Sequence, residues 1–183
     1  PQVTTGAENA NAYHCQLENC SAINIDTTAT GTGAGTFIGA ANLTGVTPPN
    51  YSFTGQISNV HFVKGTALYT SNFKPSMREL EVVPDTVLLC CQSKTDASLE
   101  KTGKTITVLG SASANELTPG ILTPIVKSGG GSAITGSVEF DGTGDYLNSP
   151  SSQSYAFGTG DFTIEGWFYF TGTISTYQRP WWF

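Results

Sequence analysis

The residues 162–171, Phe-Thr-Ile-Glu-Gly-Trp-Phe-Tyr-Phe-Thr, constrain the fold more than any other stretch of the chain. In an extended backbone, alternate side chains fall on opposite faces. Phe162, Ile164, Phe168 and Phe170 then share one face, with Gly166 between them, while Thr163, Glu165, Trp167 and Tyr169 share the other. One face is wholly apolar and the second turns aromatic halfway along. That pattern suits a central strand between packed layers, with the core on the Phe side.

The rest of the chain reads the same way. Helical periodicity is nearly absent; only Ser76-Met77-Arg78-Glu79-Leu80 could form a helical turn, and Pro75 and Pro84 bracket it. Elsewhere, short β-prone runs are divided by Gly, Pro, Asn and Asp. Strands are predicted at 34–39, 52–64, 86–92, 105–109, 134–140, 146–147 and 162–171. Within 56–64, Val60 and Phe62 face one way and Ile57 is out of phase, so a bulge near Ser58-Asn59 is expected. The fold class is therefore all-β, an antiparallel β-sandwich.

Composition narrows the function classes. Charged residues make up 12% of the 183, about half the usual share, and the exposed faces of such a chain are covered by hydroxyls and amides. The net charge of −6 is evenly spread: residues 1–92 carry 3 basic and 6 acidic side chains, and residues 93–183 carry 5 and 8. With no basic patch or stripe, nucleic acid and anionic membranes are not expected partners. No apolar run approaches the ~20 residues of a membrane-spanning helix, so no membrane insertion is expected. Thr95–Lys104 is the most charged stretch and 128–132 is a Gly/Ser linker, so 93–133 reads as a connector contributing edge strands. Both ends of the chain read as cut.

The four cysteines fall into two local pairs, Cys15/Cys20 and Cys90/Cys91. The first spacing permits a bridge across a small loop. Adjacent cysteines in a regular strand point to opposite faces, so Cys90 and Cys91 are expected not to join and to act as small buried side chains. No zinc spacing is present, and the two histidines, His14 and His61, sit apart. Asn19 and Asn42 head Asn-x-Ser/Thr sequons that matter only in a secreted eukaryotic protein.

Two groups of words carry a resemblance. Gly55-x-Ile-x-x-Val-x-x-x-x-Gly-x-Ala-x-Tyr-x-x-x-Phe-x-Pro75 resembles the end of a laminin-G-like module. Phe140-Asp-Gly-x-Gly-Asp-Tyr146 and Phe157-Gly-x-Gly-Asp-Phe-Thr-Ile-Glu-x-Trp167 resemble the beginning of one. The segment 84–92 is similar to the stretch that succeeds such repeats in large marine-bacteriophage virion proteins. The resemblance implies a concanavalin A-like jelly-roll, found in tail fibres, appendages and capsid-surface proteins. An ending placed before a beginning implies either the back of one module (1–92) joined through 93–133 to the front of the next (134–183), or one sandwich with its strands cyclically permuted.

The resemblance also implies candidate sites. Related domains hold calcium at the sandwich rim, and Asp141 and Asp145, with Asp161 as a third, are the candidate oxygen donors. The competing reading makes them turn residues that cap backbone amides. Glycan recognition needs aromatic faces at a rim, and Tyr146, Tyr155, Tyr177, Trp181 and Trp182 are the candidates. Catalysis is not expected. Glucanases of this fold carry Glu-x-Asp-x-x-Glu, whereas Glu139-Phe140-Asp141 is followed by Gly at 144. No Gly-x-Ser-x-Gly elbow or phosphate-cradling loop is present either. The expected function is a non-enzymatic virion surface or tail-fibre protein that displays and attaches, with weak multivalent binding to host glycans. The alternatives are a capsid decoration protein holding other virion proteins or its own copies through strand edges, and a secreted lectin.

Overall fold

A computed structural model of the chain describes residues 2–9, 12–18, 35–41, 51–119, 136–150, 152–171 and 180–182. The larger sheet runs in spatial order β1 (Gln2–Asn9), β2 (Ala12–Glu18), β12 (Phe162–Phe170), β6 (Thr54–Lys64), β10 (Ser137–Asp141) and β9 (Ser113–Asn115), with β7 (Thr86–Cys90) also paired to β6. The smaller sheet runs β13 (Trp181–Trp182), β3 (Gly35–Ile38), β11 (Tyr146–Pro150) and β8 (Thr107–Leu109), and β4 (Ala40–Ala41) pairs with β5 (Tyr51–Ser52). Every pairing is antiparallel. Among the described residues the only helical piece is a single 3₁₀ turn, Gln153–Tyr155. The protein is an all-β antiparallel sandwich.

The apolar face read from the sequence is the core. Ile57, Val60 and Phe62 of β6, Leu88 of β7 and Phe162, Ile164 and Phe168 of β12 meet Ile38 of β3 and Leu147 of β11 in one cluster. Phe53 lies at its centre, with its ring against Phe140, Phe168 and Phe170. Removing such surface from water is the main favourable term available to a chain this poor in charge.

β6 is the keystone. β12 pairs with it from Gly55 to Lys64 on one side, while on the other β10 covers Thr54 to Ile57 and β7 covers Val60 to Val63. The expected bulge lies at that changeover. Ser58 opposes Trp167 and His61 opposes Glu165, so Asn59 and Val60 together face the single Gly166. Asn59 adopts φ of 54°, a left-handed conformation that Asn tolerates better than most residues, and this realigns Ile57 with Val60 and Phe62. Gly55 is required for a different reason: a Cβ there would lie 1.9 Å from the carbonyl oxygen of Tyr169, at φ of 142°.

Strands from 1–92 and 134–183 alternate in the larger sheet, where β2, β12, β6 and β10 are successive neighbours. The stretch between them supplies β8 and β9, each at the end of its sheet in the described order. Residues 76–80 form no helical turn. They run as an irregular segment bent at Arg78: Ser76 Oγ caps the Arg78 amide and Asn59 Oδ1 takes the Leu80 amide, which removes both donors from any local helix.

Truncating the core centre tests this packing. Phe53→Ala is expected to lower unfolding free energy by about 3–5 kcal/mol, whereas Val82→Ser, at a side chain 51% exposed, should stay within about 0.5 kcal/mol. Urea denaturation of the two variants checks both.

Candidate functional site

The face of β6 and β12 turned away from the core carries Ser58, His61, Thr163, Glu165 and Trp167, and all five are buried. A single-layered outer face would leave them wet. Ser58 Oγ donates to the Pro119 carbonyl (3.1 Å), and the others lie under the segment 65–85, which leaves β6 at Gly65 and crosses back over the sheet before β7. This segment is tied down residue by residue. The Leu68 amide donates to Thr163 Oγ1 (2.9 Å), the Tyr69 hydroxyl to Glu165 Oε2 (3.0 Å), and the Trp167 indole N–H to the Ser76 carbonyl (2.9 Å). Asn59 Nδ2 donates to the Arg78 carbonyl, and Gln92 Nε2 reaches both Asn59 Oδ1 and the Leu80 carbonyl. Tyr69 and Phe73 stack at 4.1 Å and 15°, stiffening the strap.

Beneath the strap lies a closed polar chain. His61 Nδ1 is 3.0 Å from Glu165 Oε1 and its Nε2 is 3.0 Å from Thr86 Oγ1. A carboxylate accepts, so Nδ1–H donates to Glu165, and in the neutral imidazole Nε2 takes the Thr86 hydroxyl proton. The Thr86 oxygen in turn accepts the Val83 amide (3.0 Å). Carboxylate, imidazole and hydroxyl stand in the order hydrolases use. Here, however, His61 and Glu165 are each 1% exposed, and the Thr86 oxygen is already taken by the Val83 amide. The arrangement satisfies buried polar groups and fastens the strap.

Of the residues singled out from the sequence, Tyr155 is fully buried, its hydroxyl 2.7 Å from Ser149 Oγ, and burial pushes its phenol well above the ordinary value. Tyr146 is 6% exposed and packs with Phe37, Ala40 and Leu109. Neither ring offers a face to a sugar, because both fill the interior. Trp181 is half-buried, with its ring against Phe62 and Phe168. Tyr177, and the side chain of Trp182, lie outside the described residues, as do Asn19, Asn42, Cys20 and the side chains of His14 and Cys15. Phe73 lies in the strap, its ring stacked on Tyr69.

Asp141 and Asp145 do converge. Ser111 Oγ donates to Asp141 Oδ2 (2.9 Å) and to Asp145, and Asp145 also takes the Ser111 and Asp141 amides. Asp141 Oδ1 accepts the Thr143 amide. Gly110 permits this closeness, since a Cβ there would meet Asp145 Oδ1 at 2.2 Å. Asp161 does not join them. Asp141 pairs with Thr54 and Phe162 with Lys64, the two ends of the 11-residue β6, so Asp161 sits on the order of 30 Å away. Both carboxylates are committed to N–H and O–H donors, and among the described residues no group of three His, Cys, Asp or Glu could hold a metal ion. The two residues make a loop capped by its own aspartates. Glu139 accepts from Asn115 Nδ2, and Glu79 pairs with Lys101.

The two groups of sequence words meet in space. Leu68, Tyr69 and Ser76 come from the first, or from the residue just after it, and their partners Thr163, Glu165 and Trp167 come from the second. No protein-family model, curated protein sequence or solved structure matches this chain.

Two outcomes are expected. Glu165→Gln should cost about 1–3 kcal/mol and speed tryptic cleavage after Arg78, because it weakens the acceptor for both His61 and Tyr69. The second concerns acid. The Thr143 amide and then the Ser111 hydroxyl hold the Asp141 carboxyl below its ordinary 3.8, and the Ser98 hydroxyl and amide do so for Asp96. A depressed folded value gives stability present above about pH 4 that is lost as pH falls through the folded values. Thermal melts from pH 6 to 2.5 should therefore fall less steeply for Asp141→Asn than for the native chain.

Proposed function

We propose that this protein is a non-enzymatic structural module of a larger surface assembly, a bacteriophage virion by resemblance, holding its neighbours through strand edges. The observation that carries the reading is β1, an eight-residue strand paired on one side by β2 and at the end of the larger sheet in the described order. Its sequence, Gln-Val-Thr-Thr-Gly-Ala-Glu-Asn, holds one charge and no proline or lysine. The register shifts between Ala7 and Asn9, around the one charge, Glu8, while residues 2–7 run without charge, proline or bulge. Long edges of that kind are ones other strands add to, and proteins that must stay apart guard them with charge, proline or bulges. Supporting a structural role, the polar groups of the outer face are spent on fastening the strap. A cyclically permuted laminin-G-like sandwich accounts for the order of the sequence words, since the late-module words dock on the early-module words within one sheet.

Attachment through glycans loses ground beside assembly, because Tyr146 and Tyr155 are interior. The partner we infer for the β1 edge is another copy of this chain or a neighbouring subunit of the same assembly.

Light scattering across a concentration series tests this, using Thr4→Pro and Thr5→Pro. Successive amides of an edge strand point alternately toward and away from its partner. One of the two prolines therefore blocks only the outward edge. That variant should keep native thermal stability and lose at least tenfold in association. A monomer at all concentrations, together with binding to a glycan panel, would contradict the assembly reading.

A further inference from the structure

Among the described residues, the side chains of Cys90 and Cys91 are a thiol pair that neither the strap nor the edges use. In a regular strand they would point to opposite faces. They do not, because Cys91, the residue just after β7, has φ of 60°, which turns its side chain back to the side of Cys90. Both belong to the main core cluster, and their sulfurs stand 3.7 Å apart. The turn is held from outside the pair. The Asn59 amide at the bulge donates to the Cys91 carbonyl (3.2 Å), and the next residue, Gln92, fixes Asn59 and the strap at Leu80.

We propose that Cys90 and Cys91 are a two-electron redox site that closes to a disulfide between adjacent residues. The co-reactant is a small-molecule disulfide, RSSR. One protein thiol loses its proton and its sulfur attacks RSSR, forming a mixed disulfide and releasing RS⁻. The second protein thiolate then attacks the protein sulfur of that mixed disulfide, forming the Cys90–Cys91 bond and releasing a second RS⁻. The two protons from the protein thiols end on the two released thiolates. Two protein thiols are oxidised and one RSSR is reduced to two RSH.

Two features set the conditions. Adjacent Cα atoms lie about 3.8 Å apart, below the usual disulfide span of roughly 4.4–6.8 Å, so the ring is strained and more easily reduced than an ordinary structural bridge. Its hydrogen bond with Cys91, together with burial, pushes the Cys90 thiol well up, so exchange proceeds when the chain opens or as it folds. The site lies where β7 hands over to the turn beneath the strap, so its redox state bears on the Asn59–Gln92 fastening.

The test refolds the full chain from urea in glutathione buffers of rising disulfide content. In parallel, native protein is held for days in the same buffers. Acid quenching, alkylation in denaturant and trypsin then give one peptide, 79–94, carrying both cysteines. The expected product is that peptide about 2 Da lighter, without alkyl or glutathione groups. It should grow with disulfide content and be absent in Cys91→Ser, where Cys90 is alkylated or carries a single glutathione. The proposal is overturned if both cysteines are alkylated in the most oxidising buffer in both arms. It is equally overturned if they carry separate glutathiones or are joined to Cys15 or Cys20.

Discussion

The Glu165 carboxylate, buried between two donors, is the interaction on which the rest of this structure depends. It accepts from His61 on the neighbouring strand β6 and from Tyr69 in the strap that closes over both strands. A carboxylate at 1% exposure is costly to bury without such partners and is tolerated when each oxygen is engaged. Those partners come from residues 61–86 on one side and 162–170 on the other, so the bonds are made only when distant parts of the chain have come together. The polar layer thus specifies the register of β6 against β12, while the Phe face beneath supplies most of the driving force.

This division explains the bulge. The core face of β6 needs Ile57, Val60 and Phe62 in phase, and the outer face needs Ser58 against Trp167 and His61 against Glu165. Only an extra residue satisfies both. Asn59 absorbs it with positive φ, then uses its own amide to hold Arg78, Leu80 and Gln92. One side chain therefore solves a register problem and anchors the far end of the strap.

Much of the fold could be read from residues alone, where alternation was strong. β6, β7, β10 and β12 announce themselves by β-branched and aromatic runs, and the slip at Ile57 located the bulge. β1 did not, because Gln-Val-Thr-Thr-Gly-Ala-Glu-Asn has no strong apolar face to alternate; β2 was missed although Tyr13, Cys15 and Leu17 alternate there with His14, Gln16 and Glu18. β9, three residues long, and β13, two, are too short to leave a pattern. The site was less legible. Tyr146 and Tyr155 look like rim aromatics beside Gly- and Ser-rich loops, yet both turn inward, since an aromatic with a polar tip can be buried once the tip is bonded or at the boundary. Cys91 was misplaced by assuming a regular strand, and nothing local signals its positive φ. The Glu165–His61 pair lies 104 residues apart in sequence, and no spacing rule reaches that far; its only sequence trace is an acidic residue on an otherwise aromatic strand.

The docking of the strap onto β6 and β12 is tested most directly by the exchange of the Trp167 indole proton with solvent, followed by NMR. The account predicts strong protection, since that N–H donates to the Ser76 carbonyl beneath the strap, with exchange quickening when Glu165 is replaced by Gln. Exchange as fast as that of a free indole, in a protein whose β6 and β12 amides are protected, would mean the strap does not lie on the sheet and would contradict the account.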